Sequence, residues 1–370
     1  MKEVIKEVSF IIIAGVASGI ASPFIEGSMV DLIHFMNDFL GDYIVFAPML
    51  GFWIVGFLAK KSPIILGTGV DAYVDHTRKI SPIETVLKYI STFITLGLGG
   101  SGGLVSPTLF IGKGISESVY KKGERILSIA FASGMLTFYL GTPLTAALLS
   151  VEYFKKDEIS YEDLMPAVMA ATISYFHHNA MGYEPIFLKA IHVSEIPSIE
   201  LKNVLIAFVV AALFGGIGLA MYFLKWIYRK FTERLNVYQK TIVSGLLVSL
   251  VGIIFGKNVL GLKVVLGQNP EKFIAGKILA TVFTIESMGS SGYFTPLTTI
   301  GINLGYVFER FGFPHQIGSV LGISALLSSM LNIPLAAVIF PVELYGYKAL
   351  IPAAIGSSVS YMLYKKFRIE

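Results

Sequence analysis

One glycine-proline segment occurs twice in this chain, and that duplication limits the possible folds more than any other feature. Residues 100–112 read GSGGLVSPTLFIG and residues 289–301 read GSSGYFTPLTTIG. In register they pair Gly100 with Gly289, Ser101 with Ser290, Gly103 with Gly292, Pro107 with Pro296, Ile111 with Ile300 and Gly112 with Gly301. The likeness continues downstream: PLTAALLSVE at 143–152 matches PLAAVIFPVE at 334–343, and LMPAVMAATISY at 164–175 matches LIPAAIGSSVSY at 350–361. Three segments in one order, at nearly one interval, define a duplicated unit. The sequence divides into a first repeat at 1–182, a connector at 183–202 that carries two prolines and most of the local charge, and a second repeat at 203–370.

The solvent for these repeats is lipid. Of 370 residues 54% are hydrophobic and 15% charged, with a mean hydropathy of +0.70, against about 25% charged residues in soluble domains. Apolar blocks cover residues 8–29, 43–58, 90–111, 126–151 and 164–176, and five more cover 204–227, 242–266, 278–304, 317–342 and 350–363. A spanning helix needs about 20 apolar residues, so blocks interrupted by Gly and Pro divide into shorter, tilted helices and the number of blocks is a floor. An odd number of crossings per repeat inserts the second repeat upside down. Inverted repeats of this kind place a transported substrate near the midplane, at partial helices that face one another.

Other classes are excluded on simpler grounds. Without cysteine there are no disulfides, thiolate metal sites or thiol catalysis. A net charge of +4 is too small to suggest nucleic acid. The sequence shows no nucleophile and base cluster and no metal-ligand spacing, so neither an enzyme nor a metal or other cofactor is expected, and the His177-His178 pair reads as a helix end. Glu3 and Glu7 spoil a signal-peptide n-region, leaving a retained first helix. Lys and Arg are kept on the cytoplasmic side, so the terminal KKFR at 365–368 predicts a cytoplasmic C-terminus, and with it a cytoplasmic N-terminus.

In hydrocarbon a helix can begin only where its free N–H groups meet protein, water or ligand. Glycine permits turning and close approach, and proline suits a first turn. A helix start offers several N–H donors and the positive end of a dipole, which together attract an anion without a full charge. Weak, many-point attraction is what conduction requires. Glycine-rich stretches also serve close helix packing, but recurrence at equivalent repeat positions, with a third candidate LGTGVDA at 66–72, favours helix starts.

These residues resemble the CLC family of chloride channels and chloride/proton exchangers. GTGVD at 67–71 is similar to the family's first anion motif, GSGIP; GLVSP at 103–107 is similar to the second, G-K/R-E-G-P; GYFTP at 292–296 carries the third, G-x-F-x-P. FGKNVLGLKVVLG at 255–267 and the PL…VE segments also resemble family stretches, and the resemblance covers nearly the whole chain. It implies an all-α integral membrane fold, an inverted-repeat bundle of tilted and re-entrant helices. It further implies a homodimer with one pore per subunit, meeting around 143–151 and 334–342, in a multi-pass cell-membrane protein surrounded by lipid. By resemblance, the Thr68 hydroxyl faces a central chloride or similar small anion, with N–H groups lent by Gly67, Gly69 and Val70 and, from the other repeat, by Tyr293, Phe294 and Thr295. Members selective for fluoride or nitrate replace the motif serine by methionine or proline, so threonine, which keeps a hydroxyl, leans towards chloride.

The departures concern protons. At the gate position, Leu104-Val105-Ser106, the family's gating glutamate is matched by Val105, which can neither imitate an anion nor hold a proton. Glu152 matches the first acid of the interface helix, which leaves Tyr153 at the inner proton position. Proton exchange needs a titratable path, so passive conduction is expected. The alternatives are a chloride/proton antiporter that uses Asp71 or Glu286 as its relay, or a non-conducting relative. Asp71 otherwise favours a helix dipole and Glu286 a charge pair at a helix end. Lys113 reads as a snorkelling side chain, with an anion-attracting charge as the alternative. The helix bearing the family's pore tyrosine is shortened or absent, with Tyr361 and Tyr364 near the end matching neither, and no room is left for C-terminal regulatory domains.

Overall fold

A computed structural model describes residues 2–75, 77–119, 125–154, 159–187, 195–287 and 289–367. Of the connector at 183–202, residues 188–194 lie outside this set. The described residues are helical almost throughout. In the first half the α-helices are α1 (Lys2–Ser22), α2 (Ser28–Leu40), α3 (Ala47–Ala59), α4 (Val70–Val74), α5 (Pro82–Gly97), α6 (Val105–Val119), α7 (Arg125–Leu140), α8 (Pro143–Phe154) and α9 (Tyr161–Ala180). The second half contains α10 (Leu201–Thr232), α11 (Val237–Phe255), α12 (Pro270–Glu286), α13 (Phe294–Glu309), α14 (His315–Leu331), α15 (Pro334–Tyr345) and α16 (Leu350–Phe367). A π-helical turn, Pro23–Gly27, joins α1 to α2 in one run.

The interrupted apolar blocks divide where glycine or asparagine takes a left-handed backbone. Gly99 (φ 87°) ends α5, Gly141 (φ 74°) ends α7, Gly256 (φ 98°) ends α11 and Asn332 (φ 58°) ends α14. The block at 90–111 is therefore α5 and α6, and the block at 278–304 divides between Glu286 and Phe294 into α12 and α13. Starts are equally legible: Ser81 and Glu84 form a capping box before α5, and Asn236 and Gln239 form another before α11. Three described runs, 5–45, 203–232 and 237–255, are long and apolar enough to cross a membrane unaided. The rest are shorter or less uniformly apolar helices, whose ends depend on neighbouring helices to be satisfied in lipid.

The halves meet through reciprocal bonds between equivalent residues. Gly103 N–H donates to the Gly292 carbonyl and Gly292 N–H to the Gly103 carbonyl, each at 2.8 Å, forming an isolated antiparallel bridge. Ser101 N–H donates to Thr284 Oγ1 at 2.9 Å, and its counterpart Ser290 N–H donates to Thr95 Oγ1 at 3.0 Å. The hydroxyl pairs Thr92–Ser290 (2.8 Å) and Ser101–Thr281 (3.0 Å) repeat the relation. Amides freed where α5 and α12 stop are thus accepted by threonines of the opposite half. Serine and threonine recur in these blocks for that reason.

A second reciprocal contact joins α8 and α15. Both Glu152 oxygens accept from the start of α15, at Leu335 N–H and Ala336 N–H, each 2.8 Å. Both Glu343 oxygens accept from the start of α8, at Leu144 N–H (2.9 Å) and Thr145 N–H (2.7 Å). The repeated PL…VE is thereby accounted for: each glutamate caps the other repeat's helix. A hydrogen bond to a charged group contributes about 1.5–3 kcal/mol, so this mutual capping is a principal tie between halves.

Candidate functional site

Two helix starts come together at the Gly103–Gly292 bridge. Two residues beyond Gly103, Val105 opens α6; two beyond Gly292, Phe294 opens α13. The first N–H groups of each helix have no intrahelical acceptor, and Pro107 and Pro296 occupy the third helical position, where the missing N–H costs nothing. The approach is tight. A Cβ on Gly292 would lie 2.8 Å from Ser106 Oγ, and one on Gly103 would lie 2.6 Å from Thr295 Cβ. Only glycine fits at these two points. Leu104, Val105, Ser106, Tyr293, Phe294 and Thr295 are all buried, and Tyr139 of α7 adds a hydroxyl contact to Thr295 Oγ1 at 3.0 Å.

The third expected start stands at the side of this pair. Gly67 (φ 62°) and Gly69 (φ 77°) turn the chain, and Val70 begins α4, a helix of five residues. Val70 N–H donates to Thr68 Oγ1 at 3.3 Å, so the threonine hydroxyl is oriented at that start. Gly69 packs on Phe110 of α6, and Gly67 approaches the Ile285 carbonyl at the end of α12. The loop therefore touches α6, which opens at one start, and the end of α12, which leads into the other.

Two buried lysines hold this loop in place, and neither role is visible in the sequence. Lys88 of α5 donates to the Ile65 carbonyl (2.9 Å) and the Gly67 carbonyl (2.8 Å). Lys113 of α6 donates to the Ala72 carbonyl at 2.9 Å and also reaches the Tyr73 and Asp75 carbonyls, with Glu117 at 3.8 Å. Lys113 is a correction to the snorkelling expectation and to its vestibule alternative. Its ammonium turns inward because the C-terminal carbonyls of α4 offer acceptors that hydrocarbon does not. Lys277, the repeat partner of Lys88, likewise donates to the Gly261 carbonyl at 3.0 Å.

The acidic candidates differ in setting. Glu286 ends α12 and is enclosed: Tyr293 Oη donates to its Oε1 at 2.7 Å, Arg229 of α10 pairs with Oε2, and Lys225 lies 3.9 Å away. It is therefore ion-paired at the end of α12. Asp71 is exposed in the first turn of α4. Tyr153 is buried, and Tyr364 stacks edgewise on Tyr222 at 5.9 Å. His178 Nε2 bonds the Gly19 carbonyl at 3.0 Å, tying α9 to α1 as a helix-end residue.

The comparisons agree with this architecture. The family profile described as "Voltage gated chloride channel" matches residues 2–121 and 75–365. Relatives include an uncharacterised protein of Methanocaldococcus jannaschii, 26% identical over 85% of this chain and 84% of its own. Another is a chloride/fluoride channel protein of Pseudomonas syringae pv. tomato, 24% identical over 84% of this chain and 75% of its own. Among solved structures, a CLC-type fluoride/proton antiporter superposes with a TM-score of 0.81 at 21% identity, covering 97% of this chain and 95% of that one. A slow cyanobacterial chloride/proton antiporter also superposes at 0.81, with 15% identity over 97% of this chain and 94% of that one.

Proposed function

The chain belongs to the voltage gated chloride channel family, and from that premise we propose that it carries anions across the membrane passively, with no obligatory exchange of protons. Anion transport is the family's activity; the passive mode and the residues below are our reading. The observation that supports it is the side chain at the start of α6. Val105 is fully buried beside the Gly103–Gly292 bridge, and a hydrocarbon side chain there neither competes with an anion nor carries a proton. Glu152 is occupied in capping α15, and Glu286 is held by Tyr293 and Arg229, which leaves neither free as a shuttle.

In this reading the anion sits among the Thr68 hydroxyl, the N–H groups of Gly67 and Gly69, the Val70 N–H shared with Thr68 Oγ1, and the N–H groups of Tyr293, Phe294 and Thr295. Peptide dipoles hold it weakly enough to leave. The retained hydroxyl of Thr68 favours chloride. Residues 1–182 and 203–370 act as two inverted repeats joined by 183–202. Two copies form a homodimer through faces that include the exposed Leu144 of α8 and Leu335 of α15, in the cell membrane with both termini cytoplasmic. Neither cofactor nor enzymatic step is needed.

Chloride efflux from proteoliposomes with simultaneous pH recording tests the proposal. Efflux without a pH gradient and without proton movement supports it. Chloride-driven proton uptake would overturn the passive mode.

A further inference from the structure

Between α1 and α2 the chain widens into the π turn Pro23–Gly27, and the acidic residue of that turn, Glu26, faces inward at 2% exposure. A π turn displaces one side chain from the helical register, and such turns are frequent at functional sites. Oε1 of Glu26 accepts a hydrogen bond from Thr108 Oγ1 at 2.6 Å. Oε2 is buried and has no partner among the described residues. An unpaired carboxylate is costly in a medium without water, and an ionisable side chain inside the membrane is a functional group by default.

Glu26 adjoins the candidate site by two routes. Thr108 lies in the first turn of α6, its N–H closing on the Leu104 carbonyl at 2.8 Å, one residue before Val105. The turn that carries Glu26 packs on α7, where a Cβ on Gly27 would lie 3.8 Å from the Phe138 ring, and the next residue of α7, Tyr139, is hydrogen-bonded to Thr295 at the start of α13. The other titratable groups nearby are engaged elsewhere: Tyr89 of α5 with Ser28 and His178 of α9 with Gly19. On α6 the cation is Lys113, which caps α4.

Resting on the reading of α6 and α13 as two sides of an anion path, we propose that Glu26 is a proton-binding site that regulates that path without moving through it. Ionised, its carboxylate sets a negative charge beside the positive end of α6 and opposes the anion. Protonated from bulk water, the neutral carboxyl group removes that opposition. Anion flux therefore rises as pH falls, and the proton stays on Glu26.

Chloride efflux from proteoliposomes is measured across a pH series with internal pH recorded, in wild type, E26Q and T108V, each checked for folding by size exclusion. Wild-type efflux is expected to fall about tenfold as Glu26 ionises, the effect of one unit charge acting over about 10 Å at an effective dielectric of about 20. E26Q holds the high efflux at every pH. T108V removes the donor that favours the ionised form, so its midpoint moves up by about one pH unit. A wild-type pH profile in E26Q overturns the proposal, and chloride-linked proton movement abolished in E26Q overturns it together with the passive mode. Infrared difference spectra of wild type minus E26Q give a readout independent of flux. A protonated-carboxyl band lost in E26Q supports proton binding even if the wild type passes no anion, an outcome that would overturn only the conduction reading, and its absence over the series overturns the proposal.

Discussion

Replacing Gly103 with alanine places one methyl group at the contact on which the paired helix starts depend. The new Cβ lies 2.6 Å from Thr295 Cβ and 3.2 Å from Thr295 N, whereas carbon atoms settle at about 3.5–4.0 Å. The two starts must therefore separate by about 1 Å. Thr295 cannot yield by rotation alone, because its Cβ is fixed to the backbone of α13. Overpacking of this kind costs about 1–3 kcal/mol, and weakening the two 2.8 Å bridge bonds adds about 1 kcal/mol. The expected total is about 2–4 kcal/mol, read as a fall of several degrees in the thermal midpoint in detergent, together with at least a tenfold loss of chloride efflux as the donors move out of place. Gly216→Ala is the control: it sits within α10, where an added methyl meets nothing within 4 Å, and it should be neutral or slightly stabilising. If Gly103→Ala keeps both the midpoint and the efflux of the wild type, the reasoning from bridge to anion path is refuted.

Val105→Glu puts a carboxylate at the start of α6, and chloride efflux should slow and become pH-dependent, recovering as pH falls and the new group is neutralised; an unchanged rate at every pH would count against the assignment of this position. Lys88→Met leaves the Ile65 and Gly67 carbonyls without their donor, which should destabilise the fold by about 2–3 kcal/mol and lower efflux through disorder of the Thr68 loop, measured by thermal unfolding beside the flux assay. Glu152→Gln halves the acceptor capacity that caps α15 and should cost about 1–3 kcal/mol without introducing proton movement. Chloride-coupled proton flux that vanishes in Asp71→Asn would instead move the protein to the exchanger class.

How far the structure could be read from sequence depended on whether a residue's constraint lies in its own segment. Gly103 and Gly292 recur because two backbones touch there, and repetition made that constraint visible. Glu152 and Glu343 recur for the same kind of reason, although their reciprocal capping needed coordinates to identify. The helix breaks at Gly99 and Gly141 fall in blocks whose glycines and prolines marked them as divided, whereas Asn332 takes the same left-handed backbone without a glycine to announce it. Lys88, Lys113 and Glu26 were different. Their partners are carbonyls or hydroxyls from segments remote in sequence, and no spacing encodes such a pairing. A signal did exist for Glu26: a lone carboxylate in a long apolar run, at SPFIEG, is an expensive placement that invites a functional explanation. Lys113 gave the same signal, but the sequence could not distinguish a side chain reaching outward to the interface from one turned inward to cap α4.

The most direct test is a structure determined in bromide, whose anomalous scattering marks anion positions without ambiguity. A bromide peak within about 3.5 Å of the N–H groups at Tyr293–Thr295 and of the Thr68 hydroxyl is the predicted result. Bromide bound elsewhere, with carbonyl oxygens lining the space between the starts of α4, α6 and α13, would contradict it.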